Sequence, residues 1–308
     1  MTTALFTHAD ALGHITPPGH PERVARIDAV LGALGDMDLV RLSAPMAAED
    51  DILRCHPRAY IAELAANVPE EGFVALDPDT HLSPNSLAAA WRAAGGAVRA
   101  VDAVLGGEAD NAFVAMRPPG HHAERATSMG FCLYGNVAIA AKHALDHHGL
   151  KRVAILDFDV HHGNGTQDLV EDDGRVLFAS SHQSPLWPGT GDASETGPHD
   201  TIVNVPLPEG TGSADFRTAW EDLVFPRVEA FAPELILVSA GFDAHADDPL
   251  AGLMLDEDDF AWITGRICDL ATAHCGGRVV SCLEGGYDLG ALGRSAAAHV
   301  RVLKERGA

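Results

Sequence analysis

The chain has 308 residues, 46% of them hydrophobic, which is enough apolar material for one large core. Its 21 basic and 44 acidic residues leave a net charge of −23. Such a surface repels phosphate backbones, which argues against nucleic-acid binding, and it attracts cationic ligands such as basic peptides or polyamines.

Five cysteines, Cys55, Cys132, Cys268, Cys275 and Cys282, include no CxxC pair. The odd count argues against a disulfide framework and for a reducing, cytoplasmic setting. The first residues show no basic-then-apolar leader, and no apolar run approaches the roughly 18 residues that span a bilayer. A membrane partner is therefore not expected, and a homo-oligomer is left open. No repeat or low-complexity linker divides residues 1–308, which read as a single domain.

Along the chain, helical spacing first appears at 83–105. Ser83 is the expected cap, Pro84 suits the first turn, Gly106-Gly107 stop the helix, and Leu87, Trp91, Ala94, Val98 and Val101 share a face. Short apolar runs come next at 112–116, 153–158, 176–179, 235–240 and 279–283. Each reads as a fully buried strand. The carboxylates of 256–259 suit the first turn of a further helix, where the helix dipole favours them. Strands alternating with helices predict an α/β fold with a mostly parallel sheet covered on both faces. In such sheets ligands bind beyond the carboxyl ends of the strands.

Four of these strands lead into polar, titratable segments. The first runs into Arg117-Pro118-Pro119-Gly120-His121-His122, the second into Asp159-Val160-His161-His162-Gly163-Asn164. The others give Gly241-Phe242-Asp243 and Glu284-Gly285-Gly286-Tyr287. In extended chain Asp157, Asp159 and His161 alternate onto one face. With Asp243 from a neighbouring strand they suit a divalent metal with an open position. His121 and His122, behind a rigid Pro-Pro-Gly turn, suit general acid–base work.

These motifs, with their order and spacing, resemble the histone deacetylase superfamily. The resemblance runs from HPER at 20–23 through RPPGHHA at 117–123, GFC at 130–132 and DFDVHHGNGT at 157–166. It continues with PGTGD at 188–192, SAGFDAH at 239–245, DPLAGL at 248–253 and LEGGYD at 283–288. Asn164 in HHGNGT is similar to the class II branch and to bacterial histone deacetylase-like amidohydrolases.

The resemblance implies an arginase/deacetylase-like single domain with an eight-stranded sheet. It implies zinc bound by Asp159, His161 and Asp243, a ligand set that also suits ferrous iron. It implies a catalytic pair, His121 backed by Asp157 and His122 backed by Asn164, and a Tyr287 hydroxyl that polarises the substrate carbonyl. Gly130, Phe131, Trp187 and Leu250 would line the acyl-lysine channel, with Trp187 standing where the family usually has Phe. Structural potassium is implied near Asp157, Asp159, His161, Ser180 and Ser181, and a second ion near Val170, Asp173 and Val176. For the loop aspartate that holds substrate backbone, Asp77 and Asp79 are both candidates. Cys132 reads as packing.

The expected activity is metal-dependent hydrolysis of N-acyl amides, with an acylated lysine peptide or a small acyl amine as partner. Three rivals share parts of this pattern. An acetylpolyamine amidohydrolase would tend to carry Glu at the position of Leu250. A non-catalytic acyl-lysine reader would lack Tyr287 or a metal ligand. A two-manganese ureohydrolase would need more bridging ligands than this sequence supplies.

Overall fold

In the computed structural model, which describes residues 2–306, all five apolar runs become adjacent strands of one sheet. The strands are β1 (Thr3–Thr7), β2 (Val40–Ser43), β3 (Val74–Ala75), β4 (His81–Leu82) and β5 (Asn111–Val114). They continue with β6 (Val153–Asp157), β7 (Val176–Gln183), β8 (Ile202–Leu207), β9 (Leu235–Ala240) and β10 (Val279–Leu283). Eight of them form a sheet in the order β2-β1-β5-β10-β9-β6-β7-β8, and every pairing in it is parallel. β3 and β4 form a separate antiparallel pair.

Parallel strands need helical crossovers, so both faces are covered and the central strands are buried along their whole length. Helices Ser86–Leu105 and Asn136–Asp146 pack on each other, and Ala25–Ala33, Glu257–Cys275 and Leu289–Arg306 form a second group. Strands β5 and β9 each touch a helix of both groups, so the two groups lie on opposite faces.

Several boundaries differ from expectation. The strand expected at 112–116 is Asn111–Val114, and the one at 176–179 extends to Gln183. The first long helix begins at Ser86, not Ser83. The Ser83 hydroxyl instead accepts the Ile15 N–H at 3.1 Å and lies 3.0 Å from the Ser86 hydroxyl, so tertiary contacts consume the expected cap. The helix expected at 256–259 starts there: Asp256 caps it, and its carboxylate and that of Asp259 form a reciprocal capping box. All five cysteines are buried and unpaired. Among the described residues no helix is long and apolar enough to cross a membrane.

Candidate active site

The strand order decides the site. β5, β10, β9 and β6 are consecutive in the sheet, so the loops that leave their carboxyl ends converge. These loops carry His121–His122, Tyr287, Asp243 and Asp159–His161. Asp157, the last residue of β6, pairs in register with Ser239 of β9 and Ser180 of β7.

Asp159, His161 and Asp243 each present one ligand atom to a common point, all within 4.8 Å of one another. His161 Nδ1 lies 3.3 Å from Asp159 Oδ1 and 3.1 Å from Asp243 Oδ2. A tetrahedral zinc ion with bonds of about 2.0 Å spaces its ligands about 3.3 Å apart, so this donor set fits the ion's size. The remaining carboxylate capacity is tied down by backbone: Gly285 N–H donates to Asp159 Oδ2 at 2.8 Å and Val160 N–H to Asp243 Oδ1 at 2.9 Å. A Cβ at Gly285 would collide with the Asp159 and Asp243 carboxylates, so only glycine lets β10's loop close over the pair.

The electrostatics point the same way. Burial works against a charge on His161, yet the adjacent Asp159 and Asp243 carboxylates push its imidazole up to about 10. Burial and the charge of Asp159 push the Asp243 carboxyl up to about 7. Two buried carboxylates this close require a nearby positive charge, which the His161 imidazolium supplies and which a divalent ion held there would supply in its place with His161 neutral.

Asp157 departs from the alternation argument. Its Oδ2 lies 3.0 Å from His121 Nδ1 and its Oδ1 accepts the Asp159 N–H, so it faces the histidine pair instead of the Asp159–His161–Asp243 cluster. The strand ends at Asp157, and the chain beyond it turns through local side-chain-to-backbone bonds, which breaks the two-residue repeat.

The two histidines, with ring centroids 3.9 Å apart, have different partners. Despite burial, the charges of Asp159 and Asp157 hold His121 well above the usual imidazole range. Burial and the positive field of His121 and His161 hold His122 well below it. His122 Nδ1 sits 2.8 Å from Asn164 Oδ1, while the Asn164 amide nitrogen donates to Glu124 at 2.9 Å. That second bond orients the amide, so its oxygen must accept from His122 Nδ1–H. His122 Nε2 is left with a free lone pair.

A pocket of about 310 Å³ opens onto these groups. His122, His161 and Tyr287 contribute to its lining, with Phe131, Trp187 and Leu250 as apolar walls. The Trp187 ring packs edge-on to His122, with centroids 4.7 Å apart. Gly130 has φ +55°, and a Cβ there would strike both His122 and Trp187, so this wall requires glycine. Asp79 is among the residues that line the pocket. Asp77 instead accepts the backbone N–H groups of Asp79 and Thr80, and serves its own turn. Cys132 is buried, its thiol pushed well up by burial and the charge of Glu284, and it bonds the Gly130 carbonyl. Ser180 Oγ contacts His182 and Ser181 Oγ accepts from the Trp220 indole, so both hydroxyls have protein partners.

Residues beneath the pocket hold it in shape, and no single motif assigns them. Glu22, Arg26 and Arg117 form a fully buried ionic cluster. Arg117 Nη2 meets Glu22 at 2.6 Å, and Arg26 donates to the carbonyls of Gly286, at 2.6 Å, and Glu284. The Glu284 carboxylate accepts the Gly120 N–H at 2.6 Å and the His121 N–H at 3.2 Å, which ties β10 to the Pro-Pro-Gly turn. Asp248 accepts the Tyr287 N–H at 2.7 Å and the Leu250 N–H at 3.0 Å. The sequence signal for these residues is charge inside apolar or glycine-rich motifs, which burial makes costly unless paired.

The Histone deacetylase domain family model matches residues 20–303. The chain belongs to the histone deacetylase family. Among histone deacetylase relatives, the Histone deacetylase-like amidohydrolase of Pseudomonas aeruginosa is 42% identical over 286 residues, covering 89% of this chain and 75% of that protein. The Polyamine deacetylase HDAC10 of Homo sapiens is 38% identical over 325 residues, covering 98% of this chain and 48% of that protein. The crystal structure of the HDA15 HD domain superposes with a TM-score of 0.93 at 33% identity, covering 99% of this chain and 88% of that one. The fold is therefore the arginase/deacetylase type, and the protein is a hydrolase of the histone deacetylase family.

Proposed function

We propose that this protein hydrolyses the side-chain amide of N-acyl-lysine, with zinc held by Asp159, His161 and Asp243. The observation that supports it best is the pocket: its walls are apolar, and its lining includes the His122 imidazole, the Tyr287 phenol and His161, one of the three candidate metal ligands. Phe131, Trp187 and Leu250 suit lysine methylenes, each worth about 0.8 kcal/mol when buried. A divalent ion held by that ligand set would polarise a carbonyl oxygen and would lower the pKa of water from 15.7 to about 7.

The protein's own groups then divide the work. His122 Nε2, unprotonated at neutral pH, accepts the proton of the attacking water. His121, with Nδ1 3.0 Å from the Asp157 carboxylate, is placed to carry a positive charge that offsets the negative charge that develops. Burial and the charge of Asp243 hold the Tyr287 phenol well above its ordinary range, so it remains an O–H donor to the oxyanion. The bond from water oxygen to the acyl carbon forms, the C–N bond breaks, and His122 passes its proton to the departing amine. The products are a carboxylate and a free lysine. The structural potassium positions around Asp157, Ser180 and Ser181, and around Val170, Asp173 and Val176, belong to the same proposal.

A second reading, hydrolysis of acylpolyamines, draws on the net charge of −23 and on the human relative named a polyamine deacetylase. Leu250 weighs against it, because an apolar rim offers a distant ammonium no partner. The deciding measurement is kcat/KM on acetyl-lysine peptides, acetylspermidine and acetylputrescine, before and after chelation. Acyl-lysine should be the better substrate, chelation should abolish turnover and added zinc should restore it. Full activity in metal-free protein, or a preference for acetylpolyamines, overturns the proposal.

A further inference from the structure

We propose that the protein carries a second divalent-metal site, on the opposite edge of the sheet from the pocket, formed by Asp102, His143, His147 and His148. Each offers one ligand atom within 4.8 Å of the others.

The site is built by a helix end. Helix Asn136–Asp146 places His143 in its last turn and His147 at its C-cap, where the His147 N–H donates to the His143 carbonyl at 2.8 Å. That i,i+4 spacing stacks the two imidazoles, with centroids 4.8 Å apart and planes 17° apart. His148 is next in the chain, and Gly149 at φ +73° reverses its direction. The His148 ring thereby comes within 5.4 Å of His143 and 4.9 Å of His147. The neighbouring helix, Ser86–Leu105, contributes Asp102. Its Oδ1 lies 2.8 Å from His143 Nε2 and 2.7 Å from His148 Nε2.

Three imidazoles and one carboxylate are a donor set for zinc, and they also suit nickel or copper. Without an ion, Asp102 accepts the two imidazole N–H groups. With an ion, those protons leave and the same atoms turn to the metal. Tetrahedral ligands stand about 3.3 Å apart, so Asp102 and His148 would spread by roughly half an ångström. Both side chains are partly exposed and free to do so.

A second observation points to an ion and not only to a hydrogen-bonded cluster. The far nitrogen of the buried His143, Nδ1, faces Asp51 Oδ1 at 3.2 Å. Once an ion displaces the Nε2 proton, the Asp51 carboxylate keeps the remaining proton on Nδ1 and leaves the Nε2 lone pair to the metal, which is the usual support of a metal-binding imidazole. The carbonyl end of the helix adds a negative potential that favours a cation.

The position separates this site from catalysis. Helices Ser86–Leu105 and Asn136–Asp146 lead into the first residues of β5 and β6, whereas the catalytic residues lie beyond the last. Five residues of β6 put about 15 Å of strand between the two edges. An ion here clamps two helices and the Asp51 turn together, a structural role.

The test is metal content and melting temperature of the whole enzyme equilibrated with a slight excess of zinc, with cobalt as a spectroscopic probe. Wild type should hold two zinc ions per chain. The double variant His147→Ala/His148→Ala, changed at exposed positions, should hold one, keep wild-type kcat, and lose the zinc-dependent rise in melting temperature. Asp243→Asn should also drop to one ion but lose activity, which separates this site from the catalytic one. Should the double variant not fold, His148→Gln alone should weaken the second ion by at least tenfold. One ion per wild-type chain, or a second ion indifferent to both variants, overturns the proposal.

Discussion

The guanidinium carbon of Arg26 stands 5.0 Å from the centroid of the Tyr287 ring, while Arg26 Nε donates to the Gly286 carbonyl at 2.6 Å. The arginine is fully buried, and Glu22 neutralises it from the other side at 3.1 Å. It thus grips both the backbone and the ring face of a loop whose two glycines would otherwise leave it free.

Arg26→Met should therefore damage function through position. Removing one partner of a buried ionic cluster costs about 3–5 kcal/mol, and Arg117 keeps Glu22 from being wholly unpaired, so the lower end is expected. Turnover should fall by about 10², as for a displacement of order 1 Å at a reacting group. Thermal unfolding and steady-state kinetics on one preparation check both. Normal kcat in a destabilised variant would show that Tyr287 finds its place without Arg26.

Tyr287→Phe should lower kcat by about 10²–10³, the effect of losing one oxyanion donor. The ring remains to pack against Phe131, whose centroid is 5.8 Å away, so fold and metal content should persist. Near-normal turnover would reduce Tyr287 to packing.

The neutral partner of His122 makes a pH prediction. His122 lies well below the usual imidazole range, and its base form is lost as pH falls through its folded pKa. Asn164→Asp puts a carboxylate where an amide oxygen now accepts. A nearby negative charge favours the imidazolium by about 1–3 pKa units, so the acidic limb of kcat/KM should move to higher pH by that much. A full pH–rate profile of both proteins checks it. An unmoved limb would assign the titrating base to another group.

Leu250→Glu should shift substrate choice. The Leu250 backbone is fixed by Asp248, so the new carboxylate stays at the pocket rim. It can pair with the distal ammonium of a polyamine, and the kcat/KM ratio of acetylspermidine to acetyl-lysine peptide should rise about tenfold, a gain near 1.4 kcal/mol. An unchanged ratio would mean that the rim does not select the substrate.

Local chemistry was legible in the residues themselves. β9 and β10 begin and end where their apolar runs do, both are buried along their whole length, and their only polar residues are the small serines Ser239 and Ser281. The Asp256–Asp259 capping box is likewise a contact over three residues. β2 escaped because it lies at the sheet edge and is largely exposed. Ser83 misled because its hydroxyl is consumed by Ile15, 68 residues away.

The sequence by itself determined which groups could do chemistry, because side-chain type and the turn after a strand are local properties. Only the tertiary structure decided which of those groups meet. Asp243 reaches Asp159 because β9 pairs with β6, and Asp157 turns to His121 because the strand ends beneath it. Glu22, Arg26 and Arg117 share one buried cluster only once the fold joins segments more than 90 residues apart. Asp102 meets His143 and His148 only because two helices pack side by side. Such juxtapositions depend on strand order and helix packing, which are set by burial summed over the whole chain and not by any one segment.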